Sequence, residues 1–202
     1  MLKALLELDK QLFILLNHGS GPFMDPVMIF LSGPIPWILF TLAVVFLFNK
    51  CQPWSGTCIP LFITIGSLIL AVVLSEQISV HLFKNLFERL RPCHEPDLLG
   101  EVRLVAESCG GKYGFVSTHA SNAFTLALLS SLILRRRWFT ISVFIWAVLI
   151  SYSRIYLGVH YPGDVLGGMA LGLIIGVLIY RLYKTITGER RSPLRAQRVT
   201  KS

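Results

Sequence analysis

The chain has 202 residues, of which 53% are hydrophobic and only 15% are charged, and its mean hydropathy is +0.64. An ordinary soluble domain is roughly 45–50% apolar, so this composition excludes a soluble globular protein and predicts an integral membrane protein. The net charge of +8 would suggest nucleic acid in a soluble protein. In a membrane protein the position of the charge matters more than its sum, and we expect no nucleic-acid partner.

Residues 1–25 predict a helix that lies at the membrane surface. Their leucines and phenylalanine recur at helical spacing, while Lys3, Glu7, Asp9 and Lys10 fall on the other face. A cleaved signal peptide is the alternative. Acidic residues interrupt the apolar part and no small-residue cleavage pattern follows it, which disfavours a signal peptide.

Five long segments without charge follow, and a transmembrane helix needs about 20 mostly apolar residues. They cover residues 26–49, 51–75, 113–134, 138–153 and 165–180. No repeat or low-complexity linker interrupts them. The sequence therefore predicts one all-α integral membrane domain over residues 1–202, a bundle of about five transmembrane helices with an interfacial helix over 1–25 and a basic cytoplasmic tail over 184–202.

Basic residues predict which membrane face each connection occupies. Residues 135–137 read RRR between the third and fourth spans, and the tail is also rich in Arg and Lys, as is typical of cytoplasmic segments. The connection over 81–112 has balanced charges, so it can lie outside. The outer ends of spans two to five then bring most of the unusual polar residues into one layer, the predicted active-site face.

Charged groups inside a bilayer are costly and are functional candidates by default, but each has a simpler interpretation. Lys84 and Arg91 are seven residues apart, about two helical turns, so both can project from one helix face as snorkelling side chains. Ser117 and Asp164 can be caps at the starts of spans three and five. These interpretations leave Arg154 and His160 without an explanation.

The cationic residues of this layer fit a phosphate site. Lys84, Arg91 and Arg154 supply positive charge and fork-shaped donors for a tetrahedral dianion. Ser117 and the amides at helix N-termini can complete the cradle.

Two histidines in the same layer, His119 and His160, permit covalent chemistry. One can attack phosphorus while the other protonates the leaving oxygen. A carboxylate bonded to the attacking imidazole, for which Asp164 is placed, would fix its tautomer and stabilise the cation that forms.

Two other classes of protein remain as alternatives. A small anion transporter or channel would place its charges near the membrane midplane and show a repeat, whereas here they cluster at one face. A membrane metalloenzyme would need a ligand motif such as H-E-x-x-H. That motif is absent from the sequence, and neighbouring Lys and Arg would repel a cation.

Three motifs in order identify a family resemblance. Lys84 to Pro92 reads K-x6-R-P, Ser117 to His119 reads S-x-H, and Ser153 to Asp164 reads S-R-x5-H-x3-D. From residue 20 to residue 183 the chain resembles the type 2 phosphatidic acid phosphatase family, membrane phosphatases related to vanadium-dependent haloperoxidases.

The resemblance implies a role for each matching residue. His160 would be the nucleophile that forms a phosphohistidine, Asp164 its orienting partner, and His119 the acid that protonates the leaving group and later activates water. The residues expected to hold phosphate oxygens are Lys84, Arg91, Ser117 and Arg154. The family needs no metal, and we expect no cofactor.

The second motif departs from the family pattern. It usually reads P-S-G-H, whereas this chain has Val116 and Thr118 in place of the proline and the glycine. Threonine does not adopt positive φ cheaply, so the amide at this position can be angled differently or the hydroxyl can contribute instead. We include Thr118 among the expected phosphate-binding residues.

A site at the outer membrane boundary with apolar walls favours a phosphate on a lipid. The expected activity is hydrolysis of a phosphomonoester or diphosphate on the head group of a polyprenyl diphosphate, phosphatidylglycerol phosphate, phosphatidic acid or lipid A. The loop over residues 93–112 is expected to contact the head group. The small size and the basic tail indicate a bacterial cytoplasmic membrane with the site facing the periplasm or exterior.

The four cysteines divide between the two faces. Cys93 and Cys109 share the outer loop, whereas Cys51 and Cys58 lie near the inner ends of spans one and two. Disulfides persist on the oxidising side, which predicts a Cys93–Cys109 bridge and two reduced inner cysteines. Free structural cysteines are the alternative.

Some notable residues are assigned to packing. Gly168, Gly172 and Gly176 form a small-residue stripe that suits close helix packing. Glu76 is expected to bond a neighbouring helix, and Trp37 to belong to a membrane belt or a core.

Overall fold

The computed structural model describes residues 2–188 except 19, 20, 22, 52–58 and 107. Within this part of the chain all regular secondary structure is helical, apart from an isolated bridge between Leu90 and Tyr113. The predictions for Cys58 and for the tail after Gly188 concern residues outside it, and nothing described bears on the side chain of Cys51.

The helices in chain order are α1 (Leu2–His18), α2 (Asp25–Ser32), α3 (Ile35–Cys51), α4 (Ile59–Gln77), α5 (Asn85–Phe87), α6 (Thr118–Leu134), α7 (Arg137–Tyr156) and α8 (Pro162–Ile186). A π-helical stretch, Ile78–Lys84, joins α4 to α5. Two 3₁₀ turns, Pro92–His94 and Pro96–Leu98, follow in the outer loop.

Helices occupy all five predicted spans. Three of the described helices are long and apolar enough to cross a membrane, namely Pro60–Phe87, Arg137–Tyr156 and Pro162–Ile186. The pair α2 and α3, bent by 54° at its break, counts as a fourth span if taken together. The apolar helix α6 has only 17 residues. An all-helical membrane protein is therefore confirmed, and the count of five spans stays a prediction.

Helix α6 lies at the centre of the bundle and packs against α4, α7 and α8. Its contact with α8 is close because both helices carry small residues there. A Cβ atom added at Gly168 would lie 3.0 Å from the Ala120 Cβ, and one at Gly176 would lie 3.2 Å from the Leu128 Cβ. The glycine stripe on α8 is thus a packing surface within the bundle, as predicted.

Helix α1 turns part of its polar face toward the protein. Lys10 donates to Asp97 at 2.9 Å, and the Asn17 amide donates to the Tyr156 carbonyl at 2.8 Å while accepting from the Arg103 amide at 2.8 Å. Five leucines are left exposed: Leu5, Leu6, Leu8, Leu12 and Leu15. The helix is thus fastened to the outer loop and to the end of α7 by its polar side chains.

The predicted bridge in the outer loop is confirmed, since Cys93 and Cys109 form a disulfide with their Cα atoms 6.1 Å apart. The Cys109 carbonyl accepts a hydrogen bond from Arg91 Nη1 at 2.9 Å. The disulfide therefore fixes the loop that holds the Arg91 guanidinium.

Replacing both bridge cysteines, Cys93→Ser with Cys109→Ser, should lower the melting temperature, because a loop of this length contributes about 3 kcal/mol to the free energy of unfolding. Thiol titration of the unfolded wild type, isolated without reductant, should find two free thiols, those of Cys51 and Cys58. Four free thiols would contradict the bridge.

Candidate active site

Six of the eight predicted site residues line one cavity of about 490 Å³. They are Lys84, Arg91, Thr118, His119, Arg154 and His160. The rest of the wall comes from Trp37, Val72, Glu76, Val80 and Asn122. The other two predicted residues, Ser117 and Asp164, are fully buried and are not among the lining residues.

The turn between α7 and α8 places Arg154 and His160 together. Gly158 adopts a φ of +84°, and a Cβ atom there would lie only 2.8 Å from the Arg103 carbonyl oxygen. Glycine is therefore required for the chain to turn at this point. The turn brings the amide of His160 within 3.3 Å of the Arg154 carbonyl, so both side chains reach the same cavity.

Asp164 lies behind His160 and is fully buried. Its Oδ2 atom is 3.4 Å from His160 Nδ1 and accepts a hydrogen bond from the Tyr161 amide at 3.1 Å. Asp164 is thus the third residue of α8 and caps the helix by reaching back to Tyr161, the N-cap, so the predicted capping role is confirmed. With Nδ1 directed at the carboxylate, Nε2 is the His160 nitrogen that remains for the cavity.

The pKa of His160 lies well below its usual value of 6.5, first because the imidazole is buried and then because Arg91, Arg154 and Lys84 are nearby. Burial in low dielectric disfavours the charged form. The imidazole is therefore neutral at physiological pH, and a neutral ring has the lone pair that a nucleophile needs.

Arg89 and Asp9 were not singled out as site residues by the sequence analysis. Arg89 Nη1 donates to Asp164 Oδ1 at 2.9 Å, and Nη2 donates to Asp9 Oδ2 at 2.6 Å. The Arg89 guanidinium also lies 4.2 Å from the centre of the Tyr161 ring. The available signal was weak: Arg89 is a cation in a charge-balanced outer loop, and Asp9 is an acidic residue in an apolar helix.

Ser117 is the N-cap of α6, and its hydroxyl accepts from the Ala120 amide at 3.5 Å. Its own amide donates to the Asp164 carbonyl at 2.9 Å. The cap interpretation is therefore confirmed, while a direct contact between the Ser117 hydroxyl and phosphate stays a prediction. Thr118, in place of the usual glycine, lines the cavity, and its buried hydroxyl has no hydrogen-bond partner among the described residues.

Lys84 and Arg91 do not share one helix face, contrary to the prediction. The helix ends at Phe87 because Glu88 adopts a left-handed conformation with φ of 46°. Arg91 lies in extended backbone beyond it and is held by the Tyr113 and Cys109 carbonyls. The two cations still reach the same cavity, because the chain folds back after the helix.

Arg154 is fixed from a different element. Its Nη1 atom donates to the hydroxyl of Ser32 at the end of α2. A guanidinium held on one side and directed into the cavity on the other is oriented for bidentate contacts with a phosphate.

Two residues assigned to packing also line the cavity. Trp37 stands edge to face with His119, their ring centres 6.1 Å apart, and Glu76 contributes a carboxylate to the wall. Trp37 also packs against the core, as predicted. The cavity contact of both residues was not predicted, because a helix of low amphipathicity gives no sign of which face meets a cavity. Among the described residues, no three His, Cys, Asp or Glu side chains are grouped as a metal site.

Three of the described helices are long and apolar enough to cross a membrane, and the bundle surrounds a cavity lined by cations and a neutral histidine. These features are typical of a membrane enzyme that transfers phosphate. The model of the PAP2 superfamily matches residues 60–187. Lipid A 4'-phosphatase from Porphyromonas gingivalis is 37% identical over 90% of this chain and 75% of its own length. Lipid A 4'-phosphatase from Bacteroides thetaiotaomicron is 31% identical over 95% of this chain and 84% of its own length.

More distant relatives agree with this assignment. Undecaprenyl-diphosphatase from Sulfolobus acidocaldarius is 32% identical over 87% of this chain and 78% of its own length. The crystal structure of Aquifex aeolicus LpxE superposes with a TM-score of 0.63 at 28% identity, over 85% of this chain and 93% of that one. The chain belongs to the PAP2 superfamily, as its motifs predict. It is a membrane lipid phosphatase, and not an anion transporter or channel.

Proposed function

We propose that the protein releases inorganic phosphate from a lipid head group through a phosphohistidine on His160, at the outer face of a bacterial cytoplasmic membrane. The observation that carries this proposal is the cavity in which His160 stands among cations, with Asp164 buried at its Nδ1 atom. No other imidazole in the described part of the chain has a carboxylate so placed.

In the first step, Nε2 of His160 attacks phosphorus and the ester bond breaks, while His119 gives its proton to the leaving oxygen. In the second step, His119 takes a proton from water, which attacks phosphorus and breaks the phosphorus–nitrogen bond. Phosphate leaves and His160 is restored. Asp164 stabilises the cationic ring in both steps. Lys84, Arg91 and Arg154 hold the phosphate oxygens as charge develops on them.

The lipid we favour is a phosphorylated lipid A. The relatives that align with 90% and 95% of this chain are named lipid A 4'-phosphatase. Polyprenyl diphosphate is the second candidate, because a relative that aligns with 87% of the chain is named undecaprenyl-diphosphatase. Phosphatidylglycerol phosphate and phosphatidic acid complete the four lipids expected from the sequence.

The proposed topology has five spans: the bent pair α2–α3, the run from α4 to α5, then α6, α7 and α8. Helix α1 lies along the outer interface with its exposed leucines in lipid, which suits a helix whose polar side chains are tied to the protein. The arginines at 135–137 and the basic tail then face the cytoplasm. The whole chain forms a single domain.

The test is phosphate release by the purified protein from these four lipids and from a soluble phosphomonoester. We expect release from at least one lipid, insensitivity to a chelator, and inhibition by vanadate, which resembles five-coordinate phosphorus. Absence of release from every lipid, in protein that retains its melting transition, would contradict the proposal.

Replacing Arg154 with lysine keeps the charge but removes the bidentate fork. We expect kcat/KM to fall on the order of 10²-fold, since a donor aimed at a phosphate in a water-poor site contributes about 3 kcal/mol to the transition state. The matched control is Ser32→Ala, which removes only the partner of Arg154 and should cost less. Full activity of Arg154→Lys would remove Arg154 from the phosphate cradle.

A further inference from the structure

We propose that the part of the cavity on the membrane-interior side of the phosphate-binding residues is a subsite for hydrogen-bond donors of the lipid head group, namely hydroxyl or amide N–H groups close to the phosphate ester. The subsite consists of Glu76, Asn122 and Trp37. This inference rests on the proposed function, since it names the class of lipid whose phosphate His160 receives.

The subsite lies below the phosphate cradle. Glu76 precedes Lys84 by eight residues on one continuous helical run, roughly 10 Å along the axis. Asn122 follows Thr118 by four residues on α6, about 6 Å along the axis. All four side chains line the same cavity. With the cradle at the outer end, Glu76 and Asn122 meet the part of the substrate that joins the phosphate to the lipid tails.

The chemistry of this wall differs from that of the cradle. A phosphate dianion offers only acceptors, so it cannot bond the Glu76 carboxylate, which also repels it. Asn122 Oδ1 is buried and accepts no hydrogen bond from the described residues. A buried acceptor left without a donor is costly, so both groups call for donors on the ligand.

Trp37 gives the subsite a flat apolar wall. Its ring is held edge to face by Trp146 at 5.1 Å, and Trp146 is stacked on Phe40 at 4.6 Å. A fixed aromatic face beside two acceptors suits a sugar ring, which presents apolar C–H groups and polar donors together.

This arrangement separates lipid A from two of the other candidate lipids, polyprenyl diphosphate and phosphatidic acid. In a polyprenyl diphosphate the phosphates are joined to bare hydrocarbon, and in phosphatidic acid the glycerol is fully esterified, so neither offers a donor here. Placing hydrocarbon against a carboxylate and an unpaired amide oxygen is unfavourable. A glycolipid phosphate such as lipid A carries the required donors.

The experiment compares kcat/KM for a phosphorylated lipid A disaccharide and for phosphatidic acid, in the wild type, Glu76→Gln and Asn122→Ala. We expect each variant to lose about tenfold with the glycolipid, the typical effect of one hydrogen bond to a charged or buried group. With phosphatidic acid the same variants should keep or gain activity, which also shows that they are folded. Glu88→Gln changes an exposed carboxylate just beyond the end of the same helical run; it is the matched control and should change neither value.

Equal losses on both lipids, or a wild-type preference for phosphatidic acid, would overturn the subsite while leaving the proposed function in place. Failure of the proposed function itself has a different signature, which is no phosphate release from any lipid.

A separate observation carries a second proposal: we infer that Arg89 and Asp9 are positioning residues for the His160–Asp164 pair. Arg89 binds Asp164 Oδ1 with one guanidinium nitrogen and Asp9 with the other, and it covers the Tyr161 ring. Asp9 Oδ1 also accepts from the Gly163 amide at 2.7 Å. The carboxylate that faces His160 is thus held from the N-terminal helix.

The charges explain why two residues are needed. Arg89 alone would cancel the negative charge with which Asp164 stabilises a cationic His160. Asp9 pairs with Arg89, so the three groups together keep one net negative charge next to the imidazole. Charges in such a site interact more strongly than in water, and the supporting contacts limit the rotation of the Asp164 carboxylate.

The test uses Asp9→Asn with Lys10→Ala as control, since Lys10 ties the same helix to Glu95 and Asp97 without touching the pair. We expect Asp9→Asn to lower kcat about tenfold, with KM little changed. The size is taken by analogy from residues that orient the ligands of metal sites, whose loss costs about 10- to 100-fold in activity. Lys10→Ala should keep kcat, and Arg89→Lys should retain more activity than Arg89→Ala. An unchanged kcat in Asp9→Asn, or an equal loss in Lys10→Ala, would overturn the role.

Discussion

We expect the His160→Ala variant to release no phosphate above background from any lipid. His160 lines the cavity, and its Nδ1 atom lies 3.4 Å from the buried carboxylate of Asp164, which leaves Nε2 for the attack. The described residues offer no second imidazole so supported. Without a nucleophile the covalent step cannot occur. Steady-state phosphate release, measured on protein with an unchanged melting temperature, checks this expectation.

The informative control is His119→Ala. It should slow protonation of the leaving group and hydrolysis of the intermediate, yet still permit slow turnover of a substrate whose leaving group needs little acid help. A variant with alanine at position 160 that retains wild-type activity would show that His160 is not the nucleophile.

The Asp164→Asn variant should be nearly as inactive, with kcat lowered by up to about 10⁴-fold, as happens when the carboxylate of a catalytic triad becomes an amide. The Oδ2 atom of Asp164 accepts from both the Tyr161 amide and His160. An NH₂ group in that place cannot accept from either, favours the wrong imidazole tautomer, and cannot balance the positive ring.

Asp97→Asn is the matched control, because Asp97 is an exposed carboxylate whose partner is Lys10. It should leave kcat unchanged. Activity of Asp164→Asn within a few-fold of the wild type would mean that Asp164 acts only as a helix cap.

The sequence predicted the site where chemistry dictated residue types. Covalent transfer of a phosphate needs cations to bind the phosphate and an imidazole to attack it, all in one layer. Lys84, Arg154 and His160 meet at one cavity. The disulfide was also predictable, because Cys93 and Cys109 share one loop, which the distribution of basic residues predicts to lie on the oxidising side. The helical pattern and the topology rule were enough for these features.

Other features depend on contacts that no local pattern encodes. The end of the helix at Glu88 places Arg91 in a loop held by the Cys109 carbonyl. The contact of Asp9 with Arg89 joins residues 80 positions apart. Both result from tertiary packing, which overrides the helical spacing that suggested one continuous face.

The measurement that tests the central claim most directly is rapid quenching of the enzyme with substrate labelled in the phosphate. The wild type should carry labelled phosphate that is stable in base and labile in acid, as a phosphohistidine is, and His160→Ala should carry none. Turnover without such an intermediate, or equal labelling of His160→Ala, would contradict the assignment of His160 as the nucleophile.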